Sequence, residues 1–379
     1  MTLLPLQAQP RLRLATFNTS LYRESKGQLT NDLSTPDDKQ AQNIAEVIQR
    51  VRPDILLLNE FDYDGTGRTA RLFRRHYLMR GQHGAKPIFY HYFYVAPSNT
   101  GVLSGFDLNR DGKVALPDDG LGFGAFPGQY AFVIFSRYPL AAPRTFRHFL
   151  WRDLPGALLP IDPATGRMYY TQEALEVLRL SSKNHIDLPV WVGKKIIHLL
   201  ASHPTPPTFD GPEDRNGRRN HDEIRFWAEY LNGKSFFPVD DRGDGGSLRD
   251  DASFVIMGDM NADPYDGDST AGAAAQILDH PRVHHEVARG RWVPKSEGGR
   301  AFALSPRGDK DHRGDPAEDT AAFTGGLRVD YVLPSADMQV VGSGVFWPTP
   351  EDPLYRLVED SADNPSSDHH LVWVDITLP

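Results

Sequence analysis

Short apolar runs, each closed by a polar residue and followed by a loop or helix, recur along the whole chain. Runs of this kind bounded by turn residues are strand signals, whereas apolar positions three and four apart mark one face of a helix. RLRLATFN alternates and ends at Asn18, and DILLLNE is a buried-type run ending at Glu60. AFVIFSR, KKIIHLLASH ending at His203, SFVIMGDMN, LRVDYVLPS with Asp330, and SSDHHLVWVDITL with Asp368 and His369 supply further strands. The segment TPDDKQAQNIAEVIQRVRP predicts an amphipathic helix with Thr35 as N-cap, Pro36 in its first turn, and Ala41, Ile44, Ala45, Ile48 and Val51 on one side. Pro53 stops it. RNHDEIRFWAEYLN predicts a second helix, and DDRGDGGSLRDD a loop. No fixed-period repeat and no dividing linker interrupts the series, so one elaborated domain over residues 11–379 is expected.

Composition narrows the class. With 379 residues, 40% hydrophobic and 24% charged, the chain has material for a large core. The net charge of −9 argues against holding nucleic acid by bulk electrostatics, although an acidic enzyme still cuts it with a local basic patch and a metal. The absence of Cys excludes disulfides, thiolate nucleophiles and Cys-ligated zinc. No apolar run approaches the roughly 20 residues that span a bilayer. The opening MTLLPLQAQPRLRL reads equally as the remnant of a signal peptide or as an ordinary extension. Together with the missing Cys it leans towards an extracytoplasmic or secreted bacterial protein.

Strands covered on both faces are apolar along their middles, and their ends are where α/β folds gather functional side chains. Asp259 and Asn261 are two apart, so in extended chain both project from one side, and Gly258 allows close backbone approach to a ligand. Their hard oxygens suit Mg²⁺ or Mn²⁺. A lone DxN after a strand is commonly just a turn. The set TFN, LLLNE, SH, GDMN, RVDYV and SDHH, in that order from about Arg11 to the C-terminus, resembles the signature of the endonuclease/exonuclease/phosphatase superfamily, the deoxyribonuclease I-like fold.

The resemblance implies a four-layer α/β sandwich, two packed and mostly antiparallel sheets flanked by helices, that hydrolyses phosphoester bonds with a divalent metal and an in-line water. By matching motif, Glu60 would be the principal metal ligand, with Asn18 beside the metal and Asp368 in or near its sphere. Asp259 would orient and deprotonate water, and Asn261 would hold water or phosphate. His369 would contact the phosphate, Asp330 would fix its tautomer, and His203 would contact the phosphate from the opposite side. Such chemistry needs cationic stabilisation of the developing charge and a base to prepare water, and these residue types supply both. Asn18 as a turn cap, Asp330 paired with Arg328, and His370 as a packed or exposed neighbour are the structural alternatives.

Several features depart from a minimal family member. Asn59 replaces the usual Gln before the strand-end Glu, and segments 81–129 and 142–189 read as insertions able to roof the site. Arg215, Arg218 and Arg219 suit either a phosphate contact or a solvated helix entrance. In DLNRDGKVALPD, Asp107, Asn109, Asp111, Gly112 and Asp118 occupy positions one, three, five, six and twelve of an EF-hand-like loop, similar to the calcium loops of dockerin modules. Structural Ca²⁺ and a solvated Asp/Asn turn are both open. Phe123, Phe126 and Tyr130 either line a substrate wall or pack the insertion. The leading expectation is a phosphodiesterase or phosphatase. A sequence-tolerant nuclease, with a basic groove drawn from RTARLFRRHYLMR (68–80), is the second, and a non-catalytic binding module the third. The expected partner is thus a phosphoester, with nucleic acid open, and neither a protein partner nor an integral membrane segment is expected.

Overall fold

The computed structural model describes residues 11–233, 236–359 and 365–378; the leader-like MTLLPLQAQP lies outside them. Its strands are β1 (Leu12–Leu21), β2 (Ile55–Phe61), β3 (Tyr92–Val95), β4 (Phe132–Ser136), β5 (Arg144–Thr145), β6 (Ile186–Val192), β7 (Lys195–Ala201), β8 (Phe254–Asp259), β9 (Asp330–Pro334), β10 (Gln339–Val345) and β11 (Val372–Thr377). They form a six-stranded sheet in the order β10-β11-β1-β2-β4-β3 and a five-stranded sheet in the order β5-β6-β7-β8-β9. The two sheets meet through β1 and β2 against β8, and β1 and β11 against β9. Strands so enclosed must be apolar throughout, and β4 and β8 are buried at every position.

Helices cover the outer faces. The helix Lys39–Val51 buries Ala41, Ile44, Ala45, Ile48 and Val51, the predicted stripe. Its N-cap is Asp38, not Thr35: the Asp38 carboxylate accepts the Ala41 N–H at 2.8 Å. The Thr35 carbonyl is taken instead by the Tyr77 hydroxyl at 2.7 Å, which leaves residues 36 to 38 outside the helix. The helix Arg215–Asn232 lies on the second sheet, where Trp227 Nε1 donates to Ser202 Oγ and Tyr230 donates to Asp187 Oδ2. This is the four-layer α/β sandwich.

Two parallel pairs set the position of the site. In each sheet all pairs are antiparallel except β1 with β2 and β7 with β8. Parallel neighbours finish at the same edge, so the ends of β1 and β2 stand side by side, as do those of β7 and β8. The antiparallel neighbours begin where these end: Asp330 opens β9 directly opposite Asp259, and β11 starts at Val372 opposite Thr16. Segment 142–189 contains β5 and the first residues of β6, so part of it belongs to the second sheet. Segment 81–129 contributes β3 to the first.

Candidate active site

Asp259 stands at the centre of the convergent strand ends. Its Oδ2 lies 3.0 Å from Asn18 Nδ2, 3.3 Å from His203 Nε2 and 3.6 Å from His369 Nε2. Its Oδ1 accepts the Asn261 N–H at 2.8 Å. His369 Nδ1 lies 2.8 Å from Asp330 Oδ2, which also accepts from Thr320 Oγ1 at 2.8 Å. Asp330 therefore pairs with the imidazole, while Arg328 turns to the Ala288 carbonyl and Glu318. Asn18, His203, Asp259, Asp330 and His369, spread over 351 positions of the chain, thus share one cluster.

Electrostatics divide their roles. Burial alone would lower the His369 pKa, but Asp330 and Asp259 carry it well above 6.5, so the ring is a cation at neutral pH. Burial pushes Asp330 up to about 6, against the pull of His369. Although burial favours its neutral form, Asp259 is held well below the usual carboxylate range by His369 and His203. For His203, burial and Lys183 push the pKa down to about 4, so this ring stays neutral. One charged and one neutral imidazole face one ionised carboxylate.

Glu60 and Asp368 form the other half. Glu60, the penultimate residue of β2, has a left-handed backbone (φ 55°), and a register shift after Asn18 re-aims the end of β1. Burial pushes the Glu60 carboxyl up to about 7, against the pull of His369 and Asn18, and the charges of Asp259 and Asp368 push it the same way. Asp368 Oδ1 accepts from Ser20 Oγ at 3.1 Å. Crowded carboxylates with too little positive charge beside them are what a divalent cation relieves, and the oxygen donors of Glu60, Asp368 and Asn18 fit Mg²⁺ or Mn²⁺. Asp259, Asp330 and His369 also offer ligand atoms within 4.8 Å of one another. In that trio His369 Nδ1 is already held by Asp330 Oδ2 at 2.8 Å, which leaves Nε2 as the ring atom free to ligate.

Several expectations need correction. Asn261 does not share a strand face with Asp259: the strand ends at Asp259, Asn261 has φ 50°, and its Nδ2 donates to the Pro204 carbonyl at 3.1 Å. Gly258 admits not a ligand but the neighbouring strand end, since a Cβ there would stand 2.1 Å from the Ser202 oxygen. Arg219 is neither a phosphate contact nor a solvated residue; it is buried and donates to the carbonyls of Leu180, Leu121 and Arg179. Arg215 pairs with Glu213, and Arg218 lies 4.0 Å from Asp214. His370 is a packed neighbour, as expected, its ring stacked 3.7 Å from Trp347.

The calcium-type loop forms its local turns: Asp107 accepts from Asp111 N and Gly112 N, Asn109 from Asp111 N, and Asp111 from Lys113 N. At its end the structure singles out Asp119, which is buried and accepts from Leu108 N and Ala115 N, while Asp118 is exposed. Of the aromatic residues, Phe126 packs inside. Tyr130 lies 4.5 Å from Tyr22 and 6.4 Å from Phe123, which is 59% exposed. Burial and then Glu60 and Asp368 raise the Tyr22 pKa, which places this aromatic row beside the carboxylates.

Asp62 and Lys183 escaped the sequence reading, and Asn59 entered it only as a departure from the family pattern, without a role. Asn59 Oδ1 accepts the Asp259 N–H at 3.3 Å and lies 3.4 Å from Thr16 Oγ1, joining the sheets under the site. Asp62 accepts from Arg23 N and Tyr130 N and so fixes the aromatic row. Lys183 is buried near His203. Polar residues inside apolar runs or loops carry no local signal for such partners.

A sequence model described as the Endonuclease/Exonuclease/phosphatase family matches residues 15–369. No curated protein matches the chain. Among solved structures, an endonuclease/exonuclease/phosphatase from Beutenbergia cavernae is similar with a TM-score of 0.50 and 17% identity, over 97% of this chain and 72% of that one. A family protein from Leptotrichia buccalis gives 0.47 and 14%, over 97% and 100%. Sphingomyelinase C from Streptomyces griseocarneus gives 0.45 and 14%, over 97% and 99%. At such identities the likeness concerns the fold alone.

Proposed function

Because the chain belongs to the Endonuclease/Exonuclease/phosphatase family, whose members hydrolyse phosphoester bonds, we propose that it is a divalent-metal-dependent phosphodiesterase or phosphatase acting by in-line attack of water. The observation that carries the reading is the Asp259 carboxylate held between a protonated His369 and a neutral His203. The two ring N–H groups sit at 3.6 and 3.3 Å, long enough to pass to phosphoryl oxygens when substrate arrives. Asp259 is then released to orient water and accept its proton. His369, kept charged by Asp330, stabilises the charge that builds on the phosphoryl oxygens. Asn261 holds the segment at Pro204 that follows His203.

Glu60, Asp368 and Asn18 would hold Mg²⁺ or Mn²⁺, which when bound neutralises phosphoryl charge and organises water. The row of Tyr22, Tyr130 and Phe123 beside them suits an apolar or planar substituent on the ester. Ca²⁺ in the loop of Asp107, Asn109 and Asp111 would be structural.

Hydrolysis of bis-nitrophenyl phosphate, nitrophenyl phosphate and plasmid DNA, side by side in Mg²⁺, Mn²⁺ and chelator with His369→Gln as control, tests the reading. Turnover of small esters that needs metal and His369 supports it; none of the three hydrolysed rejects it. One observation favours a nuclease as the second reading. Arg68, Arg71, Arg74 and Arg75 line a single surface depression with Leu72 and Met79 on the short helical stretch after β2. Rapid plasmid nicking with slow small-ester turnover would select it.

A further inference from the structure

Lys183 brings an amine into the interior with no carboxylate among the described residues in hydrogen-bond contact. The residue is 6% exposed, and its Nζ makes one hydrogen bond, to the Pro204 carbonyl at 3.3 Å. An ammonium has three donors, and among the described residues no carboxylate oxygen lies within 4.0 Å of this one. Lysine is almost never buried unless paired, because the lost hydration has to be replaced. The missing partner is therefore the question this side chain poses.

The surroundings hold Lys183 in place and point to the answer. Glu223 accepts from Ser182 N at 2.7 Å and Ser182 Oγ at 3.0 Å through Oε1, and from Thr205 N at 2.6 Å through Oε2. That carboxylate clamps the residue before Lys183 to the residue after Pro204 and acts on Lys183 through its charge. The Pro204 oxygen that receives Lys183 also receives Asn261 Nδ2 at 3.1 Å. The ammonium and the Asn261 amide thus meet at one atom, next to His203 in sequence, and His203 contacts Asp259. Burial lowers the Lys183 pKa, and the acidic groups that act the other way are Glu223 and then Glu60 and Asp259, the last two being residues of the site.

We propose that Lys183 is a phosphate-binding catalytic residue whose ammonium takes a non-bridging oxygen of the scissile phosphoryl group. The inference rests on the phosphoester reading above and deepens it, adding a third cationic or N–H contact beside His203 and His369. A charge-assisted N⁺–H···O⁻ contact in a site shielded from water is stronger than a neutral one and gains as charge builds in the transition state. Until substrate binds, the unpaired ammonium is a local destabilisation of the fold.

That last consequence separates function from structure. Lys183→Met keeps most of the volume and removes the charge, and Lys183→Arg keeps the charge; Lys183→Gln replaces the Met variant should that one fail to fold. For the full chain in Mg²⁺, calorimetric titration with inorganic phosphate, kcat/KM for bis-nitrophenyl phosphate and Tm are measured together. The neutral variant is expected to bind phosphate at least roughly tenfold more weakly and to lose about a hundredfold in kcat/KM, with Tm unchanged or raised. Lys183→Arg should recover part of both losses. Wild-type phosphate affinity and turnover in the neutral variant overturn the proposal, as does a fallen Tm without change in phosphate affinity, which would make Lys183 a tether for Pro204. A wild type that neither binds phosphate nor hydrolyses any ester overturns the phosphoester reading itself, whereas a wild type that does both beside an unaltered variant overturns only the role of Lys183.

Discussion

Glu60→Gln in metal-free protein turns the proposed metal site into a stability measurement. Burial and the nearby Asp259 and Asp368 move the Glu60 carboxyl from 4.5 to about 7. At about 1.4 kcal/mol per pK unit, that displacement corresponds to about 3 kcal/mol of unfavourable free energy for the ionised side chain in the folded state. The direction follows from proton binding. The folded state holds this proton more tightly than the unfolded state, so stability is lost as pH rises from about 4.5 to 7 and stays lost above it. Gln cannot ionise and has nearly the same shape. In chelator at pH 8 the variant is expected to be more stable than wild type by up to about 3 kcal/mol, an upper bound because the carboxyl keeps some exposure. At pH 4.5 the two should nearly coincide. Adding Mg²⁺ narrows or closes the gap at pH 8, because wild type gains more of the binding free energy, about 2.7 kcal/mol when the metal is at a hundred times its Kd. Urea unfolding at both pH values, with and without metal, gives all four numbers. Glu60→Gln no more stable than wild type in chelator at pH 8 would refute the placement of an unrelieved carboxylate there.

Other substitutions address other links. Asp259→Asn and His369→Gln should each cost about 10²- to 10⁴-fold in kcat while circular dichroism still reports a folded chain; near-normal turnover in either rejects the assignment. Gly258→Ala forces a Cβ to within 2.1 Å of the Ser202 oxygen at a φ of 143°, so chemical denaturation should show a loss above about 3 kcal/mol, and a neutral result would mean the strand ends are further apart. Asp107→Ala combined with Asp111→Ala should lower Tm in Ca²⁺ but not in chelator; equal losses in both conditions reject a calcium loop.

Much of this was written locally in the sequence. Apolar runs stop where the chain leaves a doubly covered sheet, so Asn18, Glu60, Asp259, Asp330 and His369 mark themselves by position, and the stripe of Ala41, Ile44, Ala45, Ile48 and Val51 follows from helical periodicity. What the periodicity cannot contain is who faces whom. Asp259 N meets Asn59 Oδ1 across 200 positions, and Glu223 joins Ser182 to Thr205 around Lys183, pairings that exist only once two sheets and a helix have packed. The orientation of Asn261 depends on a left-handed residue after the strand, which the alternation rule treats as extended. Residue types and their order determined the fold and the chemistry on offer. Burial and neighbouring charge, set only by tertiary packing, decided that the His369 pKa is raised, that of His203 falls to about 4, that of Glu60 rises to about 7 and Lys183 meets the Pro204 carbonyl, because the free energy of a charge depends on surroundings that no local stretch of chain encodes.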